Sequence, residues 1–313
     1  MDPVPYLPRL TARLAEGLAR LPEAFRTRHA EYLRSCQNAD GGFSGREGGS
    51  DLYYSGFALR GLAVLDALTS DVCDRAADYL RANLAAQASV VDFFSFLYSC
   101  LLVQTVGPDV LADAPADWPA RVAAALETFA TPDGGYNKTT GATSGSTYHT
   151  FLVGLCYQLL GRSLPRPDAV ARFVLSRRRD DGGFVEVGAM RRSGTNPTAA
   201  AVGLLQLIQS DVDELSADVR SRVIPFLAEM AGDDGGLRAN GRVPLSDLLS
   251  TFTAAWTLET LDAFDRIDRD ALRRFGQAVE RADGGYHAGL WDEGFDVEYT
   301  FYGLGVLALD SLH

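Results

Sequence analysis

The sequence is short of cysteine and of long apolar runs. Its four cysteines, Cys36, Cys73, Cys100 and Cys156, form no Cys-x-x-Cys pair and lie in segments rich in Ala, Leu and Tyr. We therefore expect buried free thiols in a reducing compartment. No uncharged apolar run reaches about 18 residues, so no membrane span is predicted. The first residues lack a basic start followed by an apolar run, so no signal peptide is predicted and the expected location is the cytoplasm.

Basic residues are also scarce relative to acidic ones. Lys and Arg number 29 against 41 Asp and Glu, which gives a formal net charge of −12. An acidic surface repels nucleic-acid phosphates and anionic lipid heads, so neither is an expected partner. The hydrophobic content of 47% in 313 residues allows a large core, and length alone favours about two domains.

The triplet Asp-Gly-Gly recurs along the chain, and a large apolar residue follows each copy. The copies begin 93, 48, 53 and 49 residues apart, and the first interval is close to twice the others. The segment from Ala86 to Asp92 lacks glycine but precedes an apolar stretch, so we interpret it as a degenerate copy. Six units of about 48 residues indicate a helical repeat forming one domain over residues 1–313, after an N-terminal helix at 7–21. The triplets start at Asp40, Asp133, Asp181, Asp234 and Asp283, and the apolar residues are Phe43, Tyr136, Phe184, Leu237 and Tyr286.

Each unit is predicted to be a helical hairpin. An amphipathic helix comes first, and the Asp-Gly-Gly turn is expected to end it, because glycine accepts left-handed geometry and the Asp can bind the turn backbone. A loop then leads to a helix that is apolar all round and must be buried on every side. Six hairpins achieve this by closing into a ring with the apolar helices inside; an open solenoid is the alternative. The predicted apolar helices cover 50–68, 91–104, 146–160, 196–208, 246–261 and 296–309.

Three segments carry a resemblance to a known superfamily: QNADGGFSGREGGSDLYYSGFALRGL, DDGGLRANGRVPLSDLLSTFTAAWTL and RADGGYHAGLWDEGFDVEYTFYGLGVL. They resemble the β subunits of protein prenyltransferases and the terpenoid cyclases, and the last unit is more similar to the prenyltransferases. The resemblance implies an all-α, (α/α)6 toroid whose central apolar cavity binds an isoprenoid diphosphate, and a transferase activity. It also implies a helical α-type partner subunit, although the sequence leaves a homodimer or a lone chain open.

The zinc site of that β subunit is not retained. The resemblance places its Asp, Cys and His ligands at Asp247, Leu249 and Tyr299. Leucine cannot bind zinc, which prefers thiolate and imidazole ligands, so we expect no zinc and no other cofactor. Asp247 and Tyr299 remain candidate catalytic residues at these positions. An Asp-x-Cys at Asp71 and Cys73 is expected to cap an amphipathic helix instead.

The cyclase motif is not retained either. Cyclases of this superfamily protonate an alkene with an acid from an Asp-x-Asp-Asp-Thr-Ala segment, and Asn196 and Pro197 stand where the acids would be. The similar-looking segment from Asp211 to Glu214 is interpreted as a helix cap. A terpene cyclase-like enzyme therefore remains an alternative without a located acid. A non-catalytic module that binds an isoprenoid or a protein is the other alternative.

The loops before the apolar helices carry cations. The helix N-termini are expected at one rim, where backbone N–H groups and helix dipoles favour an anion. Asn196 takes the position of the family's diphosphate-binding His, while Gly241 and Pro244 take those of its Arg and Lys. Each cation can equally be a solvated loop residue. The candidates for diphosphate binding are Arg46, Lys138, Arg191, Arg192, Arg238 and Arg242.

Other polar residues lie at the starts of the apolar helices. His149 is a candidate acid, base or phosphate ligand, or a partly buried structural histidine. N-capping explains the recurring Asp residues, and a Mg²⁺ site of carboxylates is the alternative. These acids are Asp51, Asp92, Asp247 and Asp296, with Glu298 beside the last.

Aromatic side chains are frequent in the apolar helices. They suit a polyprene chain and can stabilise an allylic cation, although aromatics at helical spacing are also ordinary core residues. The candidate substrate contacts among them are Tyr53, Tyr54, Tyr148 and Trp256.

Overall fold

The computed structural model describes residues 4–84, 89–208 and 216–313. Within these ranges the chain forms α-helices joined by loops, with one two-stranded hairpin. The helices are α1 (Tyr6–Ala19), α2 (Glu23–Ser35), α3 (Leu52–Val64), α4 (Ser70–Ala82), α5 (Val90–Gln104), α6 (Trp118–Glu127), α7 (Thr147–Leu159), α8 (Pro167–Ser176), α9 (Thr195–Ile208), α10 (Ala217–Ala228), α11 (Leu248–Thr260), α12 (Arg269–Ala278) and α13 (Val297–Leu312). A 3₁₀ turn covers Phe264–Arg266, and the strands are β1 (Tyr286–Gly289) and β2 (Asp292–Asp296).

The six predicted apolar helices are confirmed as α3, α5, α7, α9, α11 and α13. In α13 every residue from Thr300 to Asp310 is buried. Full burial of one side chain of leucine size contributes about 1.5–3 kcal/mol, so these helices form most of the core. In contrast, α12 buries only Leu272, Phe275 and Gly276, which share one face. In the described ranges, no helix combines the length and apolarity needed to cross a membrane.

The chain divides into two compact units. Unit 1 comprises Met1–Pro8, Ser89–Val91 and Ala116–Asp268, and unit 2 comprises Arg9–Ala88, Asp92–Pro115 and Arg269–His313. In unit 1, α9 packs against both α7 and α11, and α8 packs on α9. In unit 2, the last helix, α13, packs against the first apolar helix, α3, while α2 packs on α3 and α12 on α13. In each unit, therefore, apolar helices contact one another and the amphipathic helices pack on their hairpin partners.

The Asp-Gly-Gly triplets form turns that lie beyond the helix ends. Helix α2 ends at Ser35, whereas the left-handed residue is Gly41, with φ of 88°. Gln37, which follows the helix, pairs across the turn with Phe43 in an antiparallel bridge. Phe43 also pairs with Asp51. The prediction that the triplet ends the helix is therefore wrong, because extended residues separate the helix from the turn. The equivalent bridged residues are Tyr136, Phe184, Leu237 and Tyr286.

The Asp of the triplet clamps both ends of the loop that follows. Asp234 accepts hydrogen bonds from the N–H of Gly236 at 3.3 Å, and from the Oγ and N–H of Ser246 at 2.5 and 3.0 Å. The predicted bond from the Asp to the turn backbone is confirmed, and the same carboxylate also holds the start of the next apolar helix. Equivalent bonds are made by Asp40, Asp133 and Asp181.

The hairpin of β1 and β2 was not predicted from the sequence. It replaces the loop of the last unit, and Tyr286 pairs with Asp296 across it. Its sequence, YHAGLWDEGFD, contains no β-branched residue and little alternation, so the usual strand pattern is missing. The strand pairing ends at Asp296, which then caps α13.

The predicted N-caps are partly confirmed. Asp51, Asp247 and Asp296 each accept backbone N–H bonds at the start of α3, α11 and α13. Asp92 does not cap α5, because that helix begins at Val90 and places Asp92 in its first turn. The cap of α4 is not Asp71 but the hydroxyl of the earlier residue Thr69, which accepts from the N–H of Val72. Helix α1 begins one residue and ends two residues before the predicted bounds of 7 and 21.

Two sequence interpretations fall on residues 85–88 and 209–215, outside the described ranges. They are the first three residues of the degenerate copy between Ala86 and Asp92, and the segment from Asp211 to Glu214.

Candidate functional site

Unit 1 contains a cleft of about 660 Å³ at the start of α9. Its walls come from the loop before α9, the first turn of α9 and the loop before α11. Three residues predicted to bind substrate, Arg192, Asn196 and Arg242, meet here. The polar side chains of the cleft are Glu186, Arg191, Arg192, Ser193, Asn196, Asn240 and Arg242.

The cleft concentrates positive charge. Arg191, Arg192 and Arg242 are exposed, and none of them forms an ion pair with any residue of the described ranges. The loop that carries Arg242 is held by a bond from its N–H to the Oδ1 of Asn240, at 2.9 Å. Because α9 begins at Thr195, its dipole adds partial positive charge at this end. Three unpaired guanidinium groups at a helix N-terminus favour a multivalent anion.

A polar chain borders this cleft. The hydroxyl of Ser146 donates to Oε1 of Glu186, and the Nδ1 of His149 lies 2.7 Å from the same hydroxyl oxygen. Burial raises the pKa of Glu186, and the hydrogen bond from Ser146 opposes that rise. A raised pKa makes a carboxylate a better proton acceptor than an ordinary glutamate.

Sequence reasoning missed Glu186, although the repeat register offers a signal. Glu186 lies two residues after Phe184, and the predicted Lys138 lies two residues after Tyr136. Lys138 is exposed, whereas Glu186 lies in the cleft.

His149 is a neutral imidazole at pH 7. Burial lowers its pKa from 6.5 to about 4, and the nearby positive charge of Lys138 adds to the effect. Because the single hydroxyl hydrogen of Ser146 is donated to Glu186, Nδ1–H of the uncharged His149 ring donates to the Ser146 oxygen.

Acidification should destabilise the fold through His149. The unfolded chain binds the imidazole proton near pH 6.5, but folded His149 binds it only near pH 4. Stability contributed by this group is thus full above pH 6.5 and is lost as the pH falls towards 4. We expect His149→Asn to remove this part of the pH dependence in urea unfolding measured at steps from pH 7 to 4. An NMR titration of the ring with a midpoint near 6.5 would contradict the assignment.

Asp247 and Asn196 are held by their neighbours in unit 1. Both carboxylate oxygens of Asp247 accept from Ser250, Oδ1 from its N–H at 2.7 Å and Oδ2 from its hydroxyl at 2.8 Å. Burial raises the pKa of Asp247, opposed by these bonds. Since Leu249 provides no ligand atom, the residues of α11 do not fit zinc of the family type. Asn196 accepts from the hydroxyl of Thr253 at 2.8 Å and keeps its amide at the cleft.

The remaining predicted residues of unit 1 lie in other surroundings. Arg238 donates to the carbonyl oxygens of Glu229 and Met230 and so caps the end of α10. The indole N–H of Trp256 donates to the hydroxyl of Tyr6 at 2.8 Å. Tyr148 is 39% exposed. Lysine or arginine side chains near helix C-termini bind terminal carbonyls in this way, so Arg238 has a sufficient structural role.

In unit 2, Glu298 is surrounded by tyrosines. The hydroxyl of Tyr53 donates to Oε1 of Glu298 at 2.6 Å, and that of Tyr302 donates to the same oxygen at 3.3 Å. Burial raises the pKa of Glu298, which the bond from Tyr53 opposes and the charge of Asp296 reinforces. The ring of Tyr54 packs edge-on against Tyr53, with centroids 5.3 Å apart. The predicted residues Tyr53, Tyr54 and Glu298 therefore form one cluster.

Arg46 is already occupied by carboxylates. Its guanidinium group lies 2.9 Å from Asp292 and 3.2 Å from Asp296, and its Cζ is 5.2 Å from the ring centroid of Tyr299. Burial raises the pKa of Asp296, opposed by the N–H of Tyr299 and by Arg46. Arg46 and Asp296 border a groove of about 450 Å³. Because Arg46 is already paired with two carboxylates, it is less available to bind an anion than the arginines of the unit 1 cleft.

Sequence reasoning also missed Arg60. It is the single cation among the residues of α3, α5, α7, α9, α11 and α13, and that isolation was the available signal. Its Cζ lies 3.8 Å from the ring centroid of Phe57 and 5.2 Å from that of Phe301. Phe94 and Tyr98 are within 5.7 and 5.8 Å.

Within the described ranges, no three His, Cys, Asp or Glu side chains are grouped so that they could hold a metal ion. Asp296 instead contacts Arg46, and Glu298 contacts Tyr53.

A model of the family described as "Prenyltransferase alpha-alpha toroid domain" matches residues 18–75, 76–213 and 198–311. These segments together cover most of the chain. No protein of curated function matches the sequence.

Several solved structures share the fold at low sequence identity. The first is a protein geranylgeranyltransferase-I from Candida albicans complexed with GGPP, with a TM-score of 0.72 and 14% identity over 91% of this chain and 90% of that one. A type II terpene cyclase from Scytonema, in complex with geranylgeranyl dihydroxybenzoate, has a TM-score of 0.60 and 13% identity over 98% and 99%. An inactive α-1,6-mannanase variant from Salegentibacter, in complex with α-1,6-mannotriose, has a TM-score of 0.63 and 10% identity over 92% and 98%. At these identities the likeness extends to the fold alone.

Proposed function

Because this chain belongs to the prenyltransferase α/α toroid domain family, we propose that it binds an isoprenoid diphosphate and transfers the isoprenoid group to an acceptor. Membership confirms the resemblance predicted from the repeats and the all-α fold class of that family. The observation that carries the proposed function is the cleft of unit 1, where Arg191, Arg192 and Arg242 lie beside the start of α9 without an ion pair in the described ranges.

The cleft suits a diphosphate in charge and in geometry. A guanidinium group presents two parallel N–H donors that match phosphate oxygens, and each charge-assisted hydrogen bond contributes about 1.5–3 kcal/mol. The amides of Asn196 and Asn240 also line the cleft and add uncharged donors. A neutral head group would leave the three cations without a partner.

The proposed transfer breaks the bond between C1 of the isoprenoid and the diphosphate oxygen. Negative charge develops on the leaving diphosphate, and donors fixed beforehand stabilise that charge. The acceptor nucleophile forms the new bond to C1 and releases a proton. Glu186 lines the same cleft and can take up this proton, with Ser146 and His149 joined to it by hydrogen bonds.

The ligands of two solved neighbours support an isoprenoid substrate. The Candida albicans enzyme is complexed with GGPP, and the Scytonema cyclase with geranylgeranyl dihydroxybenzoate. Both ligands carry a geranylgeranyl group, and only the first carries a diphosphate.

Incubation of the purified chain with geranylgeranyl or farnesyl diphosphate tests the proposal. Calorimetry measures binding, and phosphorus NMR measures released pyrophosphate, with water as the default acceptor. Pyrophosphate release by this chain alone supports transfer without a second subunit. Tight binding without release, even with added thiol or alcohol acceptors, reduces the function to binding. Absence of binding to both diphosphates contradicts the proposal.

A further inference from the structure

Unit 2 holds a cation that the diphosphate cleft of unit 1 does not use. Arg60 lies on the apolar helix α3 and is partly exposed, while the rings of Phe57, Phe94, Tyr98 and Phe301 around it are buried. Shielding a guanidinium group from water among aromatic rings is costly unless its donors are satisfied. Its position therefore calls for a physical reason.

The hydrogen bonds of Arg60 leave most of its donors open. Its Nε donates to the carbonyl oxygen of Gly56 at 3.0 Å. Its two terminal nitrogens form no hydrogen bond or ion pair with any residue in the described parts of the chain. Ring faces attract the cation, but such contacts replace no hydrogen bond. The rings contact the guanidinium group, and the edge formed by its two terminal nitrogens has no partner in the described ranges.

Glu298 does not fill that edge. Its Oε1 accepts from Tyr53 and Tyr302, and no ion pair joins it to Arg60. The positive charge of Arg60 acts on Glu298 only as a minor influence that lowers its pKa, after burial, which raises it.

We propose that Arg60 binds the carboxylate of a small molecule with an apolar body, and that the surrounding rings contact this body. A planar carboxylate carries one negative charge and matches the two-donor edge of a guanidinium group. A phosphate group carries about −1.5 to −2 charges, which one arginine beside the carboxyl of Glu298 cannot balance. The site therefore differs from the cleft of unit 1 in ligand chemistry, and it goes beyond the proposed diphosphate function.

Farnesoic acid and its methyl ester test the proposal, because they share one apolar body and differ in the carboxylate. Calorimetry on the wild-type chain at pH 7.5 should show that the acid binds about 10- to 100-fold more tightly than the ester, as expected for one charge-assisted pair. Arg60→Met should reduce the affinity for the acid to that for the ester. Arg60→Lys, which keeps the charge but loses the paired donors, should give an intermediate affinity.

Two matched variants separate the sites. Arg266→Met removes an exposed arginine of the 3₁₀ turn and should leave both affinities unchanged. Arg192→Gln combined with Arg242→Gln should weaken the binding of geranylgeranyl diphosphate and leave the binding of farnesoic acid unchanged. Either proposal can therefore fail alone. Equal affinity of acid and ester for the wild-type chain overturns the carboxylate site, as does an unchanged preference in a folded Arg60→Met variant. The wild-type comparison remains decisive if that variant does not fold.

Discussion

Replacing Arg192 and Arg242 together by glutamine should weaken the binding of geranylgeranyl diphosphate by about 100-fold or more. Each substitution removes a charge-assisted contact of about 1.5–3 kcal/mol, and about 1.4 kcal/mol corresponds to a factor of ten in affinity. Both side chains are exposed at the cleft, so their loss should not disturb the core. Isothermal titration calorimetry with the diphosphate measures the change directly, at a fixed ionic strength because salt screens such charges.

The matched control is Arg238→Gln. Arg238 lies in the same loop but donates to carbonyl oxygens at the end of α10, so its loss should lower stability slightly and leave diphosphate affinity within about twofold of the wild type. Geranylgeraniol, which lacks the diphosphate, should bind wild type and double variant equally. A double variant that binds the diphosphate like the wild type would remove this cleft as the head-group site.

The second large effect is on stability, at the first glycine of a triplet. Gly41 has φ of 88°, and a Cβ added there would lie 1.9 Å from the carbonyl oxygen of Arg75. A left-handed non-glycine residue costs about 1–2 kcal/mol, and relieving an overlap with backbone costs about 1–3 kcal/mol more. We therefore expect Gly41→Ala to destabilise the fold by about 2–5 kcal/mol, measured as a lower urea midpoint at unchanged slope.

Gly48→Ala isolates the contribution of the overlap. Gly48 has φ of 90°, but nothing lies within 4 Å of an added Cβ, so only the conformational cost of about 1–2 kcal/mol applies. The difference between the two variants measures how closely the turn approaches α4. If both variants lose the same free energy of unfolding, the close approach of Gly41 to Arg75 adds nothing to the cost of the substitution.

The apolar helices could be predicted from the sequence because burial on every side removes polar residues from all faces. The segment predicted at 296–309 became α13 (Val297–Leu312), and 146–160 became α7 (Thr147–Leu159). The position of the turns could not be read in the same way. Glycine marks a left-handed residue, but nothing in the triplet itself shows that Gln37 and Phe43, on either side of it, pair in a bridge that separates the turn from the helix.

Residues of the cleft could be predicted where a position in a loop or at a helix start was enough to identify them. Arg192 and Arg242 were predicted as cations of the loops before the apolar helices and Asn196 from the family resemblance, and the three meet in one cleft. Glu186 was missed because its raised pKa depends on burial, which the loop sequence does not reveal. Arg238 was predicted for the same reason as Arg242, yet its side chain donates to a carbonyl oxygen at the end of α10. The spacing of residues in the sequence does not reveal the direction in which a side chain points.

The carboxylate clamp at Asp234 and its equivalents has a consequence for how such chains diversify. Fixing both ends of a loop on the helical scaffold leaves its interior free to change sequence without disturbing helix packing. In this chain the clamped loops carry Arg46, Lys138, Arg192 and Arg242 in turn, and the last unit carries a hairpin in the same place. Whole loops should therefore be exchangeable between units or between relatives, which makes them the natural cassettes for evolving or engineering new selectivity.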